Sequence, residues 1–260
     1  MSAVSLILRS LLLAMFSTLV LAQAQKAPVY EPQSGQEGKD VVWVPTPQIL
    51  VDKMLDMAKV TPSDFVMDLG SGDGRTVITA AKRGARALGV EYNPDMVELS
   101  KRNAEKEGVA GKATFVKADL FETDFSKATV ITMFLLPQIN LKLRPKILGL
   151  KPGTRIVSNS FTMDDWEADE ISVLTPDQGC STSWCKALLW IVPAQVGGSY
   201  KVAQGEVVLK QNFQVLNGTL TTGGRTVPID GGRVRGEEIS FKAGGTEYRG
   251  RLNGGKLELR

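Results

Sequence analysis

A chain of 260 residues, 43% of them hydrophobic, has room for one full α/β domain and a small extra module. Its 31 basic and 28 acidic residues leave no charge excess of the kind that binds nucleic acid. Histidine is absent, which excludes an imidazole base or metal ligand, and two cysteines alone do not make a zinc site.

The chain opens on a targeting pattern. Arg9 precedes the apolar run Ser10 to Leu21, and Ala22-Gln23-Ala24 follows. A basic residue, a short apolar core and an Ala-x-Ala site describe a secretory signal over residues 1–24, cut after Ala24. Export to a periplasm or the exterior follows; left uncut, the segment would tether the protein to a membrane. Residues 25–40, polar with Pro and Gly, read as a flexible lead-in. Val44-Pro45-Thr46-Pro47 then enters a helix expected over 46–58.

The next segment carries the most information. Phe65 to Leu69 is a short apolar strand, broken by Gly70-Ser71-Gly72-Asp73-Gly74, after which Arg75 to Arg83 reads as a helix. A strand that turns through glycines into a helix leaves bare backbone N–H groups at the carboxyl edge of a sheet, where open α/β sheets bind ligands. The spacing is D-x-G-x-G-x-G. The dinucleotide spacing G-x-G-x-x-G is not met, and no Gly-Lys-Ser/Thr of a phosphate-binding loop follows. Carboxylates at Asp68 and Asp73 would repel a diphosphate and suit a ligand bearing an ammonium and a sulfonium. The pattern resembles motif I of the class I (seven-β-strand) S-adenosylmethionine-dependent methyltransferases. That resemblance implies a Rossmann-like doubly wound seven-stranded sheet. It also makes Asp68, Gly70, Ser71, Gly72, Asp73 and Gly74 the residues around the cofactor's methionyl part.

The following units keep this register. A second strand over 86–91 ends in Glu91-Tyr92, about 20 residues past the glycine turn, where a carboxylate grips a ribose diol. Asn93 and Pro94 start the next helix, expected over 94–107. A third strand over 112–118 ends in Asp119-Leu120. The resemblance implies that Asp119 accepts a hydrogen bond from the adenine amino group, with the Leu120 backbone against the ring. A fourth strand over 128–133 leads into Phe134-Leu135-Leu136-Pro137. Amine and nucleobase methyltransferases often place Asn/Asp-Pro-Pro-Tyr/Phe here. This tetrad has no polar side chain, which argues against nucleobase N-methylation and leaves backbone carbonyls, Thr132, Gln138 and Asn140 as acceptors. Phe134, Leu135 and Pro137 are the candidates for the channel of the methyl acceptor.

A closer resemblance joins these segments with Leu141-Lys142-Leu143-Arg144-Pro145 and Lys151 to Ser158. Over about residues 40 to 193 the chain is similar to bacterial methyltransferase-domain proteins related to the ATP synthase c-subunit lysine methyltransferases. It implies Pro45 and Thr46 over the methionine end of the cofactor, and a protein lysine as methyl acceptor. Two alternatives stand beside it: a small-molecule methyltransferase, or an exported methyltransferase-like scaffold that no longer turns over. No metal or nucleic-acid partner is expected.

Further strands are expected over 154–160, 169–175 and 184–193, with a helix over 138–149 and an antiparallel last pair. Cys180 and Cys185 flank the loop of that pair, placed either to form a disulfide in an oxidising compartment or to remain two thiols. The methyltransferase domain is expected over 41–195. Past Gly197-Gly198 the chain is rich in Gly, Val and Thr, and residues 199–260 read as a small antiparallel β module. Its strands are expected at 206–210, 212–216, 225–229, 238–242, 246–252 and 256–259. Asn217-Gly218, Gly223-Gly224, Asp230-Gly231-Gly232, Gly244-Gly245 and Asn253-Gly254-Gly255 read as turns.

Overall fold

Seven strands build the main sheet: β1 (Phe65–Leu69), β2 (Arg86–Glu91), β3 (Ala113–Lys117), β4 (Val130–Met133), β5 (Arg155–Asn159), β6 (Glu170–Val173) and β7 (Lys186–Ile191). Their order is β3-β2-β1-β4-β5-β7-β6, parallel except for β7, which runs antiparallel to both neighbours. The architecture comes from a computed structural model that describes residues 30–260. The signal expected at 1–24, and residues 25–29 of the lead-in, lie outside the described residues.

Apart from Asp68 and Thr132, strands β1 and β4 are apolar, as suits a parallel sheet covered by helices on both faces. Alternate side chains leave on opposite sides. Val66, Val130 and Val157 pack with Leu50, Leu55 and Val77 on one face. Met67, Leu69 and Ile131 pack with Leu143 and Ile147 on the other. The covering helices are α1 (Gln48–Met57), α2 (Arg75–Lys82), α3 (Pro94–Lys106) and α4 (Pro137–Leu148). Helix α3 starts as its sequence dictates: Pro94 stands in the first turn, and the Asn93 side chain accepts from Asp95 N at 2.9 Å. Helix α4 begins one residue earlier than expected, because Pro137 itself supplies the helical φ of the first turn.

Chain order reverses across β1 and β4, which leaves a crevice beyond their carboxyl ends.

The tail forms a second sheet of seven strands: β8 (Gly198–Val202), β9 (Gly205–Asn212), β10 (Val215–Thr222), β11 (Arg225–Arg235), β12 (Glu238–Ala243), β13 (Thr246–Asn253) and β14 (Lys256–Leu259). It is a meander in chain order, curled until β14 lies near β8. Here the reading of short strands needs correction. Asn217-Gly218 is not a turn but lies inside β10, and Asp230-Gly231-Gly232 is a bulge inside β11, where the register shifts between Asp230 and Arg233. A bulge uses the same glycines as a turn, so local composition does not separate the two. The real turn falls at Phe213-Gln214, inside the strand expected at 212–216, and β8 adds a strand ahead of the first one expected at 206–210.

The two sheets are joined by polar and aromatic contacts. Ala194 N donates to Gly236 O at 2.7 Å, and Gln214 Nε2 donates to Glu167 O at 2.7 Å. Phe213 stacks on Trp166 at 5.9 Å. Trp166 is itself fully buried, and its carbonyl accepts from Trp190 Nε1 at 2.7 Å.

Candidate active site

The glycine turn is held open by its neighbours. Gly70 and Ser71 donate their N–H groups to Val90 O at 2.9 and 3.1 Å, which bends the chain off the end of β1 and over β2. From α3, Ser100 Oγ donates to Gly72 O at 2.8 Å and Asn103 Nδ2 donates to Asp73 O at 3.0 Å. Gly70, Gly72 and Gly74 all have positive φ, which a side chain would strain. Two of them also have neighbours closer than a Cβ permits. At Gly72 that neighbour is Trp43 Nε1, 2.5 Å from where a Cβ would stand; at Gly74 it is the Phe115 ring at 2.8 Å. Gly74 therefore packs helix against strand. It is not among the residues that line the cleft, unlike Gly70, Ser71, Gly72 and Asp73.

Two acids meet the turn from the sheet. Glu91 faces the cleft with both carboxylate oxygens anchored: Gly72 N donates to Oε2 and Asn93 N to Oε1, each at 2.9 Å. Two backbone donors fix the carboxylate at the tip of β2 and leave lone pairs on both oxygens. Asp68 lies deeper, 6% exposed, and accepts from Thr132 Oγ1 at 2.6 Å. Burial pushes its carboxyl up to about 7; the Thr132 hydrogen bond works against that, and the negative charges of Glu91 and Asp73 add to it.

The segment before α1 closes the other side. Arg75 grips Asp73 through Nε and Nη2 at 3.0 and 2.6 Å, and its Nη1 donates to Thr46 O at 2.9 Å. Asn159 Nδ2, at the tip of β5, donates to Thr46 Oγ1 at 3.2 Å. Pro45 and Thr46 line the cleft. The lead-in over 25–40 does not end where it was expected to. Residues 36–40 line the same cleft, and Trp43 is tied back through Gly35 N to Trp43 O at 2.7 Å and Trp43 N to Gln36 O at 2.9 Å.

At the far end Tyr92, Asp119 and Leu120 also line the cleft. Asp119 is not free there. Lys39 donates to its Oδ2, Phe121 N donates to Oδ1 at 2.9 Å, and the Lys39 ammonium stands 4.7 Å from the centre of the Tyr92 ring. Lys39 holds the Asp119 carboxyl below its usual range. On the opposite side Phe134 and Leu135 line the cleft, whereas Pro137 lies exposed in the first turn of α4 and does not. Asn140 is no acceptor for a substrate. It is fully buried away from the cleft lining, with Nδ2 donating to Thr162 O at 3.1 Å. Thr132 is likewise committed to Asp68.

The cleft encloses about 1070 Å³ of empty space, part of it open to solvent. Sequence reasoning missed Lys39, Trp43, Arg75, Ser100 and Asn103. Arg75 and the two α3 residues stand at regular offsets from the glycine turn. Lys39 and Trp43 carried no local signal.

Comparison with known proteins decides the chemistry. Residues 68–170 match the model of the ANTKMT methyltransferase domain. The chain is 49% identical over 134 residues to a protein-lysine N-methyltransferase of Saccharolobus islandicus, covering 50% of this chain and 83% of that protein. It is 34% identical to the human ATP synthase c-subunit lysine N-methyltransferase, over 64% of this chain and 69% of that one. The chain belongs to this methyltransferase family. A solved RNA methyltransferase from Salinibacter ruber, in complex with S-adenosyl-L-homocysteine, is 42% identical with a TM-score of 0.54, covering 59% of this chain and 96% of that one.

The methyltransferase depends on S-adenosylmethionine, and its residues fit that cofactor. Asp68 is a buried carboxylate with no basic side chain bonded to it among the described residues, so the cofactor's ammonium would supply the missing charge. Among the described residues Ser71 Oγ, also buried on the cleft, has no hydrogen-bond partner, which marks a polar contact left for a ligand.

Proposed function

We propose that this chain methylates lysine side chains of a protein. Its similarity to the Saccharolobus islandicus and human lysine methyltransferases carries the reading, and the acceptor side of the cleft supports it: Phe134 and Leu135 stand where a nucleobase enzyme would present an amide. An aliphatic lysine stem needs apolar walls, and its amine needs no planar partner. When bound, S-adenosylmethionine supplies a methyl group on an activated sulfonium. The protein aligns the two reactants and keeps water out. In this reading Asp68 with Gly70, Ser71 and Gly72 takes the methionyl part, beneath Pro45 and Thr46. Glu91 takes the ribose hydroxyls, and Asp119 with Leu120 the adenine. With no histidine in the chain, the amine loses its proton to water or to a carbonyl or carboxylate at the mouth.

Labelled S-adenosylmethionine incubated with the protein and cell extract tests this. Label should resist nuclease, follow protein, and emerge as methyllysine on acid hydrolysis. Label confined to RNA or to the low-mass fraction overturns the lysine reading. We also propose that the protein is exported, on the pattern Arg9 to Ala24; a mature protein beginning at Gln25 is the expected result of amino-terminal sequencing.

A further inference from the structure

Three half-buried aromatic rings meet at the carboxyl edge of the sheet, and motif reading assigns a role to Phe134 alone. Phe134 follows the end of β4 and lines the cleft. Phe161 follows the end of β5. Trp184 precedes β7, which runs antiparallel, so it arrives at the same edge. Their centroids are 5.9 Å apart for Phe134–Phe161, 5.4 Å for Phe134–Trp184 and 5.6 Å for Phe161–Trp184. Three residues from distant parts of the chain therefore make one continuous aromatic surface that begins inside the cleft. The tips of β1, β2 and β3 carry the glycine turn, Glu91 and Asp119; the tips of β4, β5 and β7 carry the rings.

The surface is built with some effort. Ser160 sits at φ 61°, a left-handed conformation that strains a non-glycine residue. The Asn140 side chain then clamps the Phe161 and Thr162 carbonyls from α4. Trp184 is fixed by the adjacent Cys185, bonded to Cys180, and by its N–H donating to Thr182 Oγ1 at 3.1 Å. Core packing does not account for this, since the rings that form the core, Trp166, Trp190 and Phe125, are fully buried and these three are not.

We infer that Phe134, Phe161 and Trp184 form an acceptor-side binding wall for an alkylammonium group, and that it holds the lysine in its methylated forms. Resting on the proposed function, this inference extends it to the product's chemistry. A methylated ammonium spreads its positive charge over a weakly hydrated apolar surface, and the faces of aromatic rings attract such a cation more than a neutral group of the same shape. The rings touch one another, so the cation lies against the wall and not between its members. A wall of this kind retains a monomethylated lysine for further transfers. Phe161 and Trp184 set acceptor preference, and the Cys180–Cys185 bond positions Trp184.

The test uses the full chain saturated with S-adenosylhomocysteine and calorimetric titration of two pentapeptides. One carries trimethyllysine, the other its neutral carbon isostere with a tert-butyl end. The trimethyllysine peptide should bind about tenfold more tightly. Phe161→Leu and Trp184→Leu, which keep an apolar side chain, should bring that ratio near one and leave the affinity for S-adenosylhomocysteine within about twofold. Retained affinity for that ligand also shows that the variants are folded. Equal binding of the two peptides by the native protein, no binding of either, or an unchanged ratio in both variants overturns the inference. Failure of the native protein to bind S-adenosylhomocysteine overturns the proposed function as well, so the two failures are told apart.

Discussion

The Thr132 hydroxyl donates to Asp68 Oδ1 at 2.6 Å across the pair β1–β4. Thr76 adds a smaller hydrogen-bonding contribution to this buried carboxylate, and the two together do not offset burial. Asp68 therefore waits for a cation.

Its titration gives the first expected outcome. The folded-state value is raised from 3.8 to about 7, so the unliganded fold gains from this group below pH 4 and loses that gain as pH rises through 7, by about 4 kcal/mol at the limit. A ligand ammonium pairs with the ionised form. Affinity for S-adenosylhomocysteine should thus fall about tenfold from pH 8 to pH 6, with proton release on binding at pH 6. Calorimetry in buffers of different ionisation enthalpy measures both. Constant affinity across that range would show that Asp68 does not meet the ligand's charge.

Asp68→Asn separates stability from binding. At pH 8 the neutral amide removes a buried charge, so the unliganded variant should melt no lower than the native protein. Its affinity for S-adenosylhomocysteine should drop by at least about tenfold, since an ion pair is lost. A lower melting temperature with intact affinity would reverse this account.

Glu91→Gln tests the anchored carboxylate. Its two oxygens accept from Gly72 N and Asn93 N, and an amide can satisfy only one of these donors. Stability should fall by about 1–2 kcal/mol, and ligand affinity by about tenfold or more. Adenosine, which carries the ribose without the methionyl part, should lose affinity in parallel.

Gly74→Ala should act on the fold and spare the ligand contacts. The position has φ 83°, and a Cβ would stand 2.8 Å from the Phe115 ring and 2.9 Å from Ser100 Cβ. Strain and crowding together predict a loss of about 2–4 kcal/mol. Thermal unfolding should show it plainly, whereas ligand affinity below the melting range changes little.

The disulfide closes a loop between residues only five apart in sequence. In the chain-entropy account so short a loop contributes about 2 kcal/mol, equivalent to roughly 4–8 °C in melting temperature for a domain of this size. Serine at both Cys180 and Cys185 should show a drop of that order, as should reduction of the native protein. No change on either treatment would mean that the loop is already ordered without the bond.

Much of the fold was legible because its signals are short-range. An apolar run broken by glycines, an acid about 20 residues on, and a proline after an asparagine each occupy a few adjacent residues, and each constrains its own backbone. This was enough for β1, β2, the start of α3 and the placing of Glu91 at the cleft. In the second sheet the same logic misled, because glycine serves a bulge in β11 as readily as a turn.

By itself the sequence determined the glycine turn at the end of β1, since D-x-G-x-G-x-G dictates its own bend, and the resemblance of that turn carried the class of chemistry; the N–H groups expected to be bare are taken, those of Gly70 and Ser71 by Val90 O and that of Gly72 by Glu91 Oε2. Only the tertiary structure decided that Trp43 reaches over that turn, that Lys39 pairs with Asp119 at the far end of the cleft, and that Phe134, Phe161 and Trp184 converge. Those contacts join segments up to 80 residues apart, as Lys39 and Asp119 are. The order of strands in the sheet brings them together, and no window of adjacent residues contains that order.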